Sequence, residues 1–204
     1  FVGDAENSLI ELLSQPISKG ERKVISHSSW PNLNQLPFFD LDTLVDKDII
    51  LSSADKYSMH TSGLRGCPKA VEKGRCTFCS IPVPGLRLMD PDRFFEQIRL
   101  MKERYGFTHF FETGDDLAIP EYVDALVSHK PADLEFDFYS QIGLERLTPK
   151  LASDFRKLGL RKAGVGLETF SPERMKVANK SRTNLQEQIK YLLAEGIKVR
   201  AFVL

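Results

Sequence analysis

Apolar positions along this chain follow two alternating periods. Phe94, Ile98, Met101 and Tyr105 fall at i, i+4, i+7 and i+11, one face of a helix. Asp90 and Pro91 supply a start for that helix and Gly106 a stop. The same grammar predicts helices over 120–129, over 148–158 with a Thr-Pro start and a Gly stop, and over 184–195. In the last of these, Leu185, Ile189 and Leu192 face inward and Thr183 with Gln186 forms a capping box. Between the helices lie short apolar runs of strand character, near residues 57, 107, 134, 162 and 197. In the third run Leu134, Phe136 and Phe138 share a face. Strand-helix alternation of this kind predicts a parallel sheet with right-handed crossovers. Curled, it gives an α/β partial (β/α) TIM-like barrel of five strands, truncated after the fifth and preceded by a connector.

The first fifty-odd residues break the pattern. Leu9, Leu12 and Leu13 predict a short helix after a strand end, with Gly20 beyond it. The stretch SHSSWPNLNQLPFFDLD has no sustained period and reads as a connector, with Trp30, Phe38 and Phe39 as surface anchors. KDIILSS reads as a short strand or hairpin arm. The expected division is 1–55, the end of an N-terminal domain plus connector, and 56–204, the barrel. The chain starts without Met and stops on the strand-like IKVRAFVL, so a fragment of a longer protein is expected. Lys plus Arg equals Asp plus Glu at 28 each, which gives no electrostatic case for a nucleic-acid partner. No apolar run reaches the length of a membrane span.

The chemistry is concentrated in TSGLRGCPKAVEKGRCTFCSIP, which holds Cys67, Cys76 and Cys79, the chain's three cysteines. Three thiols cannot all pair as disulfides. Reduced thiols suit a cytoplasmic setting. Eight residues then two between the cysteines is metal-ligand spacing, with residues 69–74 looping out. Soft thiolates suit zinc or an iron–sulfur cluster. A structural zinc needs a fourth ligand such as His60 and would make the chain a non-enzymatic binding module. A cubane cluster on three thiolates keeps one iron open. Arg65, Lys69, Lys73 and Arg75 make the loop basic, which favours thiolates.

GCP followed by CTFCSIP and the strand-helix alternation, over 57–204, resembles the radical S-adenosylmethionine (SAM) enzymes. The resemblance implies a [4Fe-4S] cluster on Cys67, Cys76 and Cys79, whose open iron chelates SAM. An electron donor such as flavodoxin or ferredoxin then drives SAM cleavage to a 5′-deoxyadenosyl radical, which takes hydrogen from an unidentified substrate. The spacing of eight departs from the family's commoner three. Phe78 holds the family's position beside the SAM adenine. Gly114, Asp115 and Asp116 align with the Gly-Gly-Glu turn that meets the SAM amino group, with Asp in two of the three places. Gln141 and Glu168, at strand ends, align with SAM-contacting polar positions, and Lys180 or Arg182 with a basic position near the SAM carboxylate. FVGDAENSLIELL resembles the segment before the barrel in both the cobalamin-binding enzymes and the methylthiotransferases, while GCP…CTFCSIP and the turn ending FFETGDD resemble the cobalamin-associated group, where methyl transfer is frequent and cobalamin is a possible further cofactor. The alternative within the family is a methylthiotransferase acting on tRNA or a ribosomal protein.

Overall fold

The computed structural model describes residues 5–14, 20, 30–52, 58–81, 85–180 and 184–203. The expected strand end at Phe1–Asp4, the strand start at Tyr57, the Thr183 cap and Arg182 lie outside these residues. The chain divides into two units, Phe1–Pro37 and Phe38–Leu204. The first holds helix α1 (Glu6–Leu13), on which Ile10 and Leu13 are exposed.

The second unit is the α/β body. Five parallel strands form one sheet in simple sequential order: β1 (Ser58–Thr61), β4 (His109–Glu112), β5 (Asp137–Gln141), β6 (Leu160–Glu168) and β7 (Lys198–Val203). No strand is inserted between sequence neighbours, as an open stretch of a (β/α) barrel requires. Helices α4 (Pro91–Tyr105), α5 (Pro120–His129) and α6 (Pro149–Leu158) make the crossovers between the first four strands, and α8 (Leu185–Ala194) leads into the fifth. The predicted stripe on α4 is buried at Phe94, Ile98 and Met101, joined by Phe95. Each such side chain contributes about 1.5–3 kcal/mol by leaving water. Phe110, Phe138, Leu160, Ala163 and Val165 complete the layer beneath the helices.

Three segments differ from expectation. KDIILSS forms helix α2 (Lys47–Ser52), not a strand. A short apolar run without alternation serves either state, and here no strand among the described residues takes its hydrogen bonds. Residues 69–74 are not an irregular loop: Pro68–Lys73 is helix α3, with Pro at its first turn and Gly74 at its end. SPERMKV, without an assigned element in the sequence, forms α7 (Pro172–Val177), capped by the Ser171 side chain. A two-stranded antiparallel pair, β2 (Leu64–Arg65) with β3 (Arg87–Leu88), completes the strands and α-helices among the described residues.

Candidate functional site

The β2–β3 pair explains how a long cysteine loop is held at a sheet edge. The chain leaves through Leu64 and Arg65 and returns through Arg87 and Leu88, paired residue for residue. Met89 N donates to Gly63 O at 2.8 Å and tightens the same base. At the neck stands Gly66, with φ +100; a Cβ there would lie 2.3 Å from the Gly85 carbonyl oxygen, so only glycine fits. Gly66 N donates to the Asp115 carboxylate at 2.7 Å, which ties the neck to the turn after β4.

Helix α3 lies inside this loop and is pinned on two sides. Arg146, in the segment after β5, pairs with Glu72 at 2.5 Å. Asn179 donates to the carbonyls of Arg75 (2.8 Å), Gly74 (3.4 Å) and Lys73 (3.5 Å). Cys67 occupies the N-cap position of α3. Burial pushes its thiol pKa up, and the backbone N–H groups of Ala70 and Lys69 work against that rise by favouring the thiolate. Cys76 and Cys79 sit on the return, joined by a turn in which Cys79 N donates to Cys76 O at 3.0 Å. All three thiols are free and half-buried.

The three cysteines open on one cavity of about 420 Å³ at the C-terminal ends of the strands. Its floor is made close by Gly164 and Gly166. A Cβ at Gly164 would stand 2.3 Å from the Tyr139 hydroxyl, and one at Gly166 would stand 2.4 Å from Glu168 Oε1. Beyond them the β6–β7 ladder slips, between Gly166 and Glu168. Glu168 has φ 61, an unusual conformation for a residue with a side chain, and it is buried. Its carboxylate meets Lys180 Nζ at 2.5 Å. The same ammonium lies 5.3 Å from the centre of the Phe78 ring. A residue between two cysteines, a strand end and a loop lysine therefore meet at one wall.

Of the residues assigned from sequence to the cluster or SAM, nine line this cavity: the three cysteines, Phe78, Asp115, Asp116, Gln141, Glu168 and Lys180. Gly114 does not. It packs under Leu64, and its N–H donates to both oxygens of Glu112 at 3.0 Å. Asp116 is nearly buried, which raises its pKa, and its Oδ1 accepts from Ala118 N (3.0 Å) and Gly143 N (2.6 Å). Gln141 donates to the Tyr139 hydroxyl at 3.3 Å. His60 packs edge-on against Phe111, ring centres 5.1 Å apart, and is not among the residues lining the cavity.

Sequence reasoning missed several wall residues, among them Arg146 after β5 and Phe202 on β7. It also missed Glu112, directly beneath the site and fully buried. Glu112 accepts from Gly63 N and Gly114 N and from the Ser140 hydroxyl, each at 3.0 Å, and burial lifts its pKa to about 7. The signal was legible: in HFFE the alternation puts Phe110 and Glu112 on the buried side. A carboxylate at a core-facing position is an anomaly that asks for a reason.

Among the described residues no group of three or more His, Cys, Asp or Glu side chains is gathered tightly enough to bind a lone metal ion. The fit to a larger thiolate-bound cluster rests on the donor set: three unpaired thiols on one cavity, with a glycine-floored space left over for a second molecule.

Residues 19–204 match the radical SAM superfamily. No curated protein matches the chain. Among solved structures, the cobalamin-dependent SAM radical enzyme OxsB with aqua-cobalamin bound superposes with a TM-score of 0.73 at 16% identity, covering 98% of this chain and 32% of that one. The radical SAM methyltransferase TsrM from Kitasatospora setae, with cobalamin and a [4Fe-4S] cluster bound, superposes at 0.57 with 15% identity, covering 71% of this chain and 30% of its own. The chain thus spans about a third of the length of these structures, and at such identities they attest the fold. With the match running through all five strands of the sheet and the cysteine loop, the chain belongs to the radical SAM superfamily.

Proposed function

We propose that this chain carries the cluster- and SAM-binding core of a radical SAM enzyme, with Cys67, Cys76 and Cys79 as the cluster ligands. One observation carries the reading: three thiols, a glycine floor and the Glu168–Lys180 pair, from stretches a hundred residues apart, open on one cavity at the strand ends. Bound there and reduced by an external donor of the flavodoxin or ferredoxin kind, a [4Fe-4S] cluster supplies the electron that splits SAM into methionine and a 5′-deoxyadenosyl radical.

The chain's own residues bind, orient and exclude water. The α3 N–H groups stabilise the Cys67 thiolate. Phe78, half exposed, offers a face for a flat ring such as adenine. Lys180 suits a carboxylate, and Glu168, held beside it, suits an ammonium or ribose hydroxyls. The Asp115 carboxylate holds the loop neck, which leaves the Asp115–Asp116 turn to position a ligand chiefly through the walls it braces. The likeness to OxsB and TsrM supports cobalamin as a further cofactor, and the likeness to TsrM, a methyltransferase, supports methyl transfer as the outcome. No described residue is assigned to cobalamin. A reducing, cytoplasmic setting suits the free thiols. No helix among the described residues is long and apolar enough to cross a membrane.

The test is anaerobic reconstitution of the full-length protein with iron and sulfide, then addition of dithionite and SAM. The expected result is a brown protein that makes 5′-deoxyadenosine, and a Cys76→Ala variant that makes none. A colourless protein holding one zinc and giving no product overturns the reading.

A further inference from the structure

A second cavity, of about 390 Å³, opens beside the first and shares Lys69, Glu145 and Lys180 with it. Its other walls come from α3 and α7, through Lys73, Lys176 and Asn179. The chain as a whole is electrically neutral, yet this space draws four lysines against the single carboxylate of Glu145. Lys180 is matched by Glu168. Lys69 is tethered to the Gly74 carbonyl at 3.1 Å, which fixes its ammonium without neutralising it. The ammonium groups of Lys73 and Lys176, both exposed residues, have neither a hydrogen bond nor an ion pair among the described residues. After Glu145 and Glu168 are set against the four ammonium groups, two positive charges are left over.

The walls are joined, so the elements that carry the lysines keep their places around the cavity. Asn179, at φ 52, reaches from the end of α7 to three carbonyls at the end of α3, and Thr77 N donates to Ala178 O at 3.3 Å. Like charges brought together without an anion repel. Lysines, as compact point charges with rotatable donors, bind a phosphate oxyanion without needing a planar, bidentate geometry. We propose that this lysine-lined cavity is a subsite for a phosphate dianion carried by the substrate, placed beside the SAM cavity so that the rest of the substrate extends into it. The assignment rests on the function proposed above for the neighbouring cavity, and it names the substrate class as phosphorylated.

Pyrophosphate is the probe, titrated calorimetrically into the full-length protein with its cluster oxidised, so that no radical chemistry is needed. Binding is expected, and it should weaken as salt rises. The double variant Lys73→Gln/Lys176→Gln should lose about tenfold or more in affinity, while Lys73→Arg/Lys176→Arg, which keeps both charges, should stay within about threefold. Lys190→Gln, on the exposed face of α8, should bind as the parent does. Absence of pyrophosphate binding, or equal binding by parent and Gln double variant, overturns the subsite. The two readings fail separately. A protein that makes 5′-deoxyadenosine but ignores pyrophosphate loses only the subsite. One that binds pyrophosphate through Lys73 and Lys176 but never holds a cluster loses the radical SAM function, and with it the placing of this anion on that substrate.

Discussion

Glu112 shows what a single side chain does for this site without touching a ligand. It sits at the end of β4, fully buried, and gathers the N–H groups of Gly63 and Gly114 and the hydroxyl of Ser140. Gly63 begins the cysteine loop's neck, and Gly114 begins the acidic turn. One carboxyl group thus clasps three strand ends. Burial disfavours its charge more strongly than these donors favour it, so its pKa rises from 4.5 to about 7. The consequence for stability has a definite sign. Below about pH 4.5 the proton is on the group in folded and unfolded chains alike. Between there and about pH 7 only the folded chain keeps it, so unfolding releases a proton and stability falls as pH rises. Above about pH 7 the loss is complete, on the order of 3 kcal/mol for a shift of this size. Glu112→Gln keeps the shape, accepts from both glycine N–H groups, and turns its own amide to the Ser140 oxygen. The variant should lack this slope. Urea unfolding of both proteins from pH 4.5 to 8 measures it, and identical pH profiles would show that Glu112 does not titrate in this window.

Short, locally encoded pieces hold the cysteines at the scale of elements: the β2–β3 pair, α3 and the α7 exit. Gly66→Ala tests the neck directly. Alanine at φ +100 is strained, and its Cβ would meet the Gly85 carbonyl at 2.3 Å, so the neck must open. A local cost of roughly 2–3 kcal/mol is expected. It falls on the loop rather than the sheet, so the iron bound per chain after reconstitution should drop while the parallel-sheet core stays folded by circular dichroism. Gly106→Ala is the control: φ +77 strains it as well, but nothing stands within 4 Å of its Cβ, so it should lose some stability and keep its iron. Full iron content in Gly66→Ala would mean the neck does not govern the cysteine geometry. These same elements mark the limit of what the sequence discloses. The five strands and four crossover helices are legible because each has a long apolar period and caps that agree with it, as in α4 and α6. Helix α3 carries a local signal too, Pro68 at the start and Gly74 at the stop, but its six residues hold no apolar stripe and read as an insertion. Its position depends on Glu72 meeting Arg146, 74 residues on, and on Asn179, 104 residues from Arg75, and no local period encodes either. The three thiols and Glu168 could be read from strand ends and spacing. Arg146 could not, because it follows a strand end by five residues in a segment with no motif.

Across the whole α/β body, the cavity belongs to no single element. Its walls come from the cysteine loop, the β4 turn, the segment after β5, the end of β6, Lys180 and Phe202 of β7. A ligand seated there touches every crossover unit at its strand end and none at its outer helix. Binding to the folded state alone stabilises it by about 2.7 kcal/mol at a hundredfold excess over the dissociation constant, and that stabilisation is spread over whatever the ligand joins. Hydrogen exchange of the full-length, cluster-loaded protein with and without SAM therefore has a distinctive expected pattern. Amides in α3, in the 113–116 turn, in 141–146 and in 164–168 should slow together, although they lie far apart in sequence. Amides on the outward faces of α4 and α5 should exchange through their own local openings and change little. Protection confined to 67–79 would mean that SAM meets only the cysteine loop and that the strand-end cavity serves another molecule. Protection across all four stretches would tie them into one binding unit, the behaviour expected of a site assembled by the sheet rather than carried on a loop.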